Sequence, residues 1–200
     1  MRRADLPIKF SEGFNPRPKM QWLMPLPLYY ESESEIVHIE LADNLKESEL
    51  QVVLNEQLPR ECTVKSVKSL DLATKLPDVE NIKILYTILT RSPLVWEKYI
   101  GEIKNLILGF FQKDSFIVKI QKTNEKGLPV EKEIDIRSKV QRIEVLQKSP
   151  LLIEILVNGA TRPEQVLSSI LKNSLSELLF AVSEKWQLDW AIAKEKVYNV

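Results

Sequence analysis

Apolar residues recur along this chain in two rhythms, every second position and every third or fourth, and the changes of rhythm mark out its elements. In SEIVHIEL, Val37, Ile39 and Leu41 fall on one face of a strand, with Ile36, His38 and Glu40 on the other. A helix is predicted next. Leu50, Val53, Leu54 and Leu58 recur at helical spacing, Asn44 and Glu47 have the offset of an N-cap and its reciprocal partner, and Pro59 ends the run. CTVKSVKSL then predicts another strand, in which Cys62, with no histidine nearby, reads as a small buried hydrophobe rather than a nucleophile. Residues 71–80, DLATKLPDVE, carry proline and charge without clean periodicity and are expected to connect two domains, 1–70 and 81–200.

The second half repeats the order. IKILYTILT is apolar on both alternating faces, as expected of a central strand. Ser92 and Pro93 then suit the start of a helix over 92–112, whose stripe is Val95, Tyr99, Ile103, Leu106 and Phe110, flanked by Trp96, Ile100 and Ile107. SFIVKIQKT and VEKEIDI flank NEKGLP, whose Gly127 and Pro129 suit a hairpin or a longer loop. QRIEVLQ and LLIEILVNG follow as strands around a Ser149 and Pro150 turn. Thr161 and Glu164 have capping-box spacing ahead of a helix near 162–179, with Val166, Leu167, Ile170, Leu171 and Leu175 on its apolar face. WQLDWAI alternates Trp186, Leu188, Trp190 and Ile192 as a closing strand. The expected class is α+β: two ferredoxin-like split βαβ sandwiches, the first incomplete at its N-terminus.

Between these patterns lies a segment of another kind, PIKFSEGFNPRPKMQWLMPLPL at 7–28. Ser11, Gly13 and Asn15 suit tight turns, while Pro16 and Pro18 fix their own φ and push Asn15 and Arg17 toward extended conformations. Side chains in such a loop are pre-aimed. Arg2, Arg3, Lys9, Arg17 and Lys19 surround Phe14 and Trp22, so an anion or a stacked base is one expected partner, and an ordinary structural turn is the alternative.

RRADLP, SEGFNPRPKM and PLPLYYESESEIVHIEL together resemble the start of an uncharacterised bacterial radical-SAM-linked family, with support further on from EIDIRSKVQRIEV and NGATRPEQVLSSIL. The resemblance implies a small domain that accompanies a B12-binding radical SAM protein, and the family's own activity is unassigned. Members usually carry a strand and most of a helix before the RRA stretch, so the resemblance implies a first domain shortened there, with a bare sheet edge and weak self-association.

Composition narrows the chemistry. Lys plus Arg and Asp plus Glu number 28 each, so any basic site is local, and Glu31, Glu33, Glu35 and Glu40 follow the basic loop at once. Cys62 is the only cysteine and His38 the only histidine, which excludes an intrachain disulfide, a thiolate zinc site, the three-cysteine cluster of a radical SAM enzyme, a His pair and an HExxH helix. Five glycines occur and no phosphate-loop pattern is present, so no nucleotide or other cofactor is expected. No apolar run has the length of a membrane span and no signal-peptide h-region opens the chain, which makes the cytoplasm the expected compartment.

Arg137 could grip a phosphate or carboxylate or pair with Asp135, and Arg162 lies where a helix N-terminus attracts anions or where Thr161 simply caps. The leading expectation is a non-catalytic binding module that presents RNA, or a radical SAM partner, with the GFNPRPK loop. The candidate residues are Ser11, Gly13, Phe14, Asn15, Arg17, Lys19, Trp22, Arg137 and Arg162. A protein adaptor using the acidic strand and a sheet edge is the close alternative, and a metal-independent enzyme using Ser11, Asn15, Arg17 and Asp135 is the rival from another class.

Overall fold

The computed structural model describes residues 2–28, 30–71, 74–90, 99–124, 127–148, 151–171 and 190–199. It is α+β, and its contacts divide it into two compact units: Met1–Leu23 with Ile36–Leu76, and Met24–Glu35 with Pro77–Val200. The division is not a single cut. The chain leaves the first unit after Leu23, contributes twelve residues to the second, and returns at Ile36.

In the first unit, β1 (Met20–Trp22) pairs antiparallel with β3 (Val37–Ile39), and α1 (Glu47–Gln57) follows. A neck bond from the Leu23 N–H to the Ile36 carbonyl, 3.0 Å, closes the ladder where the chain departs and returns. α1 begins later than the capping pattern predicts. Its N-cap is Lys46, no side chain caps it, and the Glu47 carboxylate accepts a bond from the Ser69 N–H at 2.7 Å instead. The end falls at Leu58, before Pro59, as the missing proline N–H demands.

CTVKSVKSL does not become a ladder strand. One row of side chains on α1, Glu47, Gln51 and Asn55, holds this stretch by its backbone. Cys62 is exposed, which corrects the expectation that it is buried. With no sheet beside it, this segment has no interior into which Cys62 could point.

The second unit is built on a five-stranded sheet in the order β2-β9-β4-β8-β7: β2 (Tyr30–Ser32), β9 (Trp190–Asn199), β4 (Ile82–Thr90), β8 (Leu151–Asn158) and β7 (Val140–Lys148). All neighbours are antiparallel except β2, which lies parallel to β9. Ile84, Tyr86 and Ile88 on β4 stand opposite Val157, Ile155 and Ile153 on β8, and all six are buried. This directly opposed row of branched and aromatic side chains forms the middle of the sheet's core.

Two helices complete that unit. α2 (Ile100–Phe111) buries Ile100, Ile103, Ile107 and Phe110, a stripe at helical spacing, and α3 (Pro163–Leu171) buries Val166, Leu167, Ile170 and Leu171. The two helices pack together. The predicted helix starts at Ser92 and Pro93, Val95 and Trp96, the Ser149 and Pro150 turn, and Leu175, Trp186 and Leu188 lie outside the described residues. β5 (Ile117–Thr123) and β6 (Pro129–Asp135) form the hairpin expected around NEKGLP, as a separate two-stranded sheet joined by the Lys119–Glu131 pair at 2.8 Å.

The Thr161–Glu164 capping box is also corrected. The Thr161 hydroxyl donates to the Asn158 carbonyl at 2.9 Å, and the Glu164 carboxylate accepts from the Tyr30 hydroxyl. Tyr30 stands edge-on to Tyr86 with ring centroids 6.0 Å apart. Burial, then the Glu164 carboxylate, raises the pKa of the Tyr30 phenol and keeps it protonated. The tertiary contact takes the carboxylate from the local one, because a buried phenol left unpaired is costlier than an uncapped amide at a wet helix end.

Candidate functional site

Backbone pairing builds the loop into a hairpin. Phe10 and Pro18 form an antiparallel bridge, the Ser11 N–H donates to the Arg17 carbonyl at 2.8 Å, and the Ser11 hydroxyl accepts from the Arg17 N–H at 2.9 Å. Ser11 thus closes the loop twice. Gly13 sits at φ +123 in the tip, a conformation that residues with a Cβ rarely adopt.

Below the tip, three chain segments meet in a ring of backbone bonds. Lys9 N–H donates to Glu40 C=O (2.9 Å), Glu40 N–H to Lys19 C=O (3.0 Å), and Lys19 N–H to Lys9 C=O (2.7 Å). Ile8 also bridges Leu41, and the Ala42 N–H reaches the Pro7 carbonyl. The loop therefore stands on a base pinned from two sides. Its tip carries Phe14 fully exposed, with Asn15 and Arg17 exposed beside it.

Strand alternation sorts the remaining residues. Gln21 lies opposite His38 and Lys19 is next to Glu40, so these four share one face, where with Ser11 and Arg17 they line a shallow groove. Met20 and Trp22 alternate to the other face, opposite Ile39 and Val37. Trp22 is 46 % exposed there, so it is not the groove's stacking platform, and the exposed aromatics of the loop itself are Phe10 and, at the tip, Phe14. The Lys19 ammonium pairs with the Glu40 carboxylate at 3.1 Å, both partly solvated. Sequence spacing identified Arg17 and Lys19 but missed Gln21, His38 and Glu40, because their grouping depends on the β1–β3 register; only the strand alternation of His38 and Glu40 hinted at it.

The two later arginines have other surroundings. Arg137 donates through Nε to the Lys113 carbonyl (3.2 Å) and through Nη1 to the Val140 carbonyl (3.4 Å), and its guanidinium lies 4.9 Å from the Phe111 ring centroid. Asp135 does not form an ion pair with that guanidinium. Its carboxylate accepts the backbone N–H groups of Phe116 and Arg137, both at 2.9 Å, so Asp135 and Arg137 together lock the hairpin's base to the end of α2. Arg162 is exposed, and its carbonyl receives the first α3 bonds from Gln165 and Val166. Arg137 and Arg162 share no partner among the described residues. No group of His, Cys, Asp and Glu among the described residues could hold a metal ion, and no helix among them is long and apolar enough to cross a membrane.

The model of a family described as an uncharacterized protein conserved in bacteria (DUF2344) matches residues 1–168, which include the whole loop and both later arginines. No curated protein matches the chain.

Proposed function

The chain belongs to the DUF2344 family of uncharacterized bacterial proteins, and on that premise we propose that it is a non-catalytic binding module that takes single-stranded RNA on the GFNPRPK hairpin and accompanies a radical SAM protein. The observation that carries the reading is Phe14, fully exposed at the tip of a loop whose base is fixed by three backbone bonds. A bare aromatic on a rigid support offers a base a stacking face at small entropic loss, and Arg17 beside it supplies a phosphate contact. The radical SAM partnership rests on the resemblance of RRADLP and SEGFNPRPKM alone.

The second unit is best described as ferredoxin-like. Counting β4, β7, β8 and β9 as strands one to four, its sheet order is 4-1-3-2, which supports that description, with β2 added at the outer edge and the β5–β6 hairpin inserted. Such sheets host many functions, so the loop and not the fold carries the functional argument.

Anisotropy titrations with single-stranded RNA at several salt concentrations test the reading. Arg17→Ala with Lys19→Ala is expected to weaken binding and flatten the salt slope by about 0.7 per lost phosphate contact. Phe14→Ala is expected to weaken it by about 1–3 kcal/mol with the slope unchanged. Wild-type protein that binds RNA no better than a neutral control overturns the proposal. A protein adaptor is then the better reading, and the neutralisation of Lys19 by Glu40 already favours it at that point of the surface.

A further inference from the structure

The groove beside the hairpin has a lining that stacking at the tip does not use. Lys19 and Gln21 come to it from one chain segment and His38 and Glu40 from another, with Ser11 and Arg17 at the hairpin end. It encloses about 370 Å³, at the small end of ligand sites and suited to one planar group. Charge within it is balanced. The Lys19 ammonium and the Glu40 carboxylate pair at 3.1 Å and together offer a phosphate no net attraction, which leaves Arg17 as the unbalanced charge of the lining. The interior therefore suits a neutral group that hydrogen-bonds, and the hairpin end suits an anion.

Gln21 and His38 stand directly opposite each other across the β1–β3 ladder, a placement that sets Cβ atoms about 5 Å apart. Lys19 precedes Gln21 by two positions, about 7 Å along the same face. One flat group lying in the groove can touch all three. Among the described residues neither Gln21 nor His38 has a hydrogen-bond partner, although His38 is half-buried. An amide that holds a donor and an acceptor in one plane, facing a ring with a nitrogen at each side, matches the edge of a planar group that carries both kinds of atom. We infer that this groove reads the edge of one unpaired base, with Gln21 and His38 as the residues that set base preference. The inference rests on the RNA reading of the loop and assigns the part of that site which distinguishes one sequence from another. Unstacked bases of single-stranded RNA present such edges, whereas in a duplex the same atoms pair with each other.

Anisotropy titrations of the full chain test it with single strands of one length made of A, of C, of U and of alternating G and U. The strongest and weakest are expected to differ about tenfold, the span of one well-formed set of base contacts. Gln21→Leu, at an exposed position where folding does not need the amide, is expected to bring the four within about twofold and to keep the salt slope. Gln21→Glu, which turns a donor into an acceptor, is expected to change their order. His38→Phe, with its fold checked by circular dichroism, is expected to narrow the spread about threefold. Stacking on Phe14 can favour some bases by itself; a preference that survives Gln21→Leu and disappears with Phe14→Ala overturns the inference. Equal binding of all four strands also overturns it and leaves the loop's RNA contact standing. So does inorganic phosphate that shifts the Gln21 and His38 side-chain resonances as far as RNA does, since the groove is then an anion site. A chain that binds none of the strands overturns the loop reading and this inference together.

Discussion

Gly159, at φ +66 just past β8, leaves little room for a side chain: a Cβ there would stand 3.0 Å from Glu80 Oε2 and 3.4 Å from Glu80 Cα. Strain and contact act together, so Gly159→Ala is expected to destabilise by about 1–3 kcal/mol in a denaturant melt, and an unchanged midpoint refutes the argument. Phe14 is the opposite case. Fully exposed, it contributes no core packing, so Phe14→Ala is expected to move stability by less than about 0.5 kcal/mol while affecting binding. Glu40 restrains Lys19 across the groove, so Glu40→Gln is expected to raise RNA affinity about two- to fivefold at low salt. Weaker RNA binding by that variant would show that the ligand uses the carboxylate itself.

At the scale of elements, side chains and backbone compete for the same polar groups. The Ser69 N–H, then the Ser69 hydroxyl, and then the charge of Lys68 hold the Glu47 carboxyl below its usual pKa. A depressed carboxyl anchors its partner above the unfolded pKa of 4.5 and releases it as pH falls through the lower folded value. The Ser69 amide shift is therefore expected to stay constant at neutral pH and to titrate below 4.5; a titration at or above that value would mean that Glu47 gains nothing from the contact. Arg137 does similar work between α2 and β7 by bonding carbonyls at the end of one and the start of the other. Arg137→Ala is expected to destabilise by about 1–3 kcal/mol, since it leaves those carbonyls and the Phe111 face uncovered. The β7 edge is bulged at Val140/Arg142 and Val145/Gln147, which blunts it as a template for strand addition.

Over the whole molecule, stability is distributed unevenly. Among the described residues the first unit buries Leu23 and Leu54 as its large hydrophobics, while the second buries the opposed β4 and β8 rows and the stripes of α2 and α3. Amides of 8–10, 19–22 and 37–42 are expected to exchange through openings of lower free energy than those of 84–88 and 153–157, by native-state hydrogen exchange. Equal opening energies would show one cooperative unit. Ile155→Ala is expected to cost about 2–5 kcal/mol, because its side chain is fully enclosed between Tyr86 and the rest of the core.

Periodicity alone located β4, the β5–β6 hairpin, β7, β8 and the apolar faces of α2 and α3, because burying one stripe or both faces of a regular element writes its period into the chain. Turn chemistry alone located the Ser11–Lys19 loop, since Gly13 admits a positive φ and the two prolines fix theirs whatever surrounds them. Contacts between segments distant in sequence decided the rest. Glu164 answers Tyr30 across 134 positions, Glu47 answers Ser69 across 22, and no local pattern ranks those partners above the caps that the same residues could have formed. The strand predicted at 62–70 went unpaired for the same reason: β propensity describes what a segment can do beside a sheet, and only the tertiary structure decided that its neighbour is the polar row of α1.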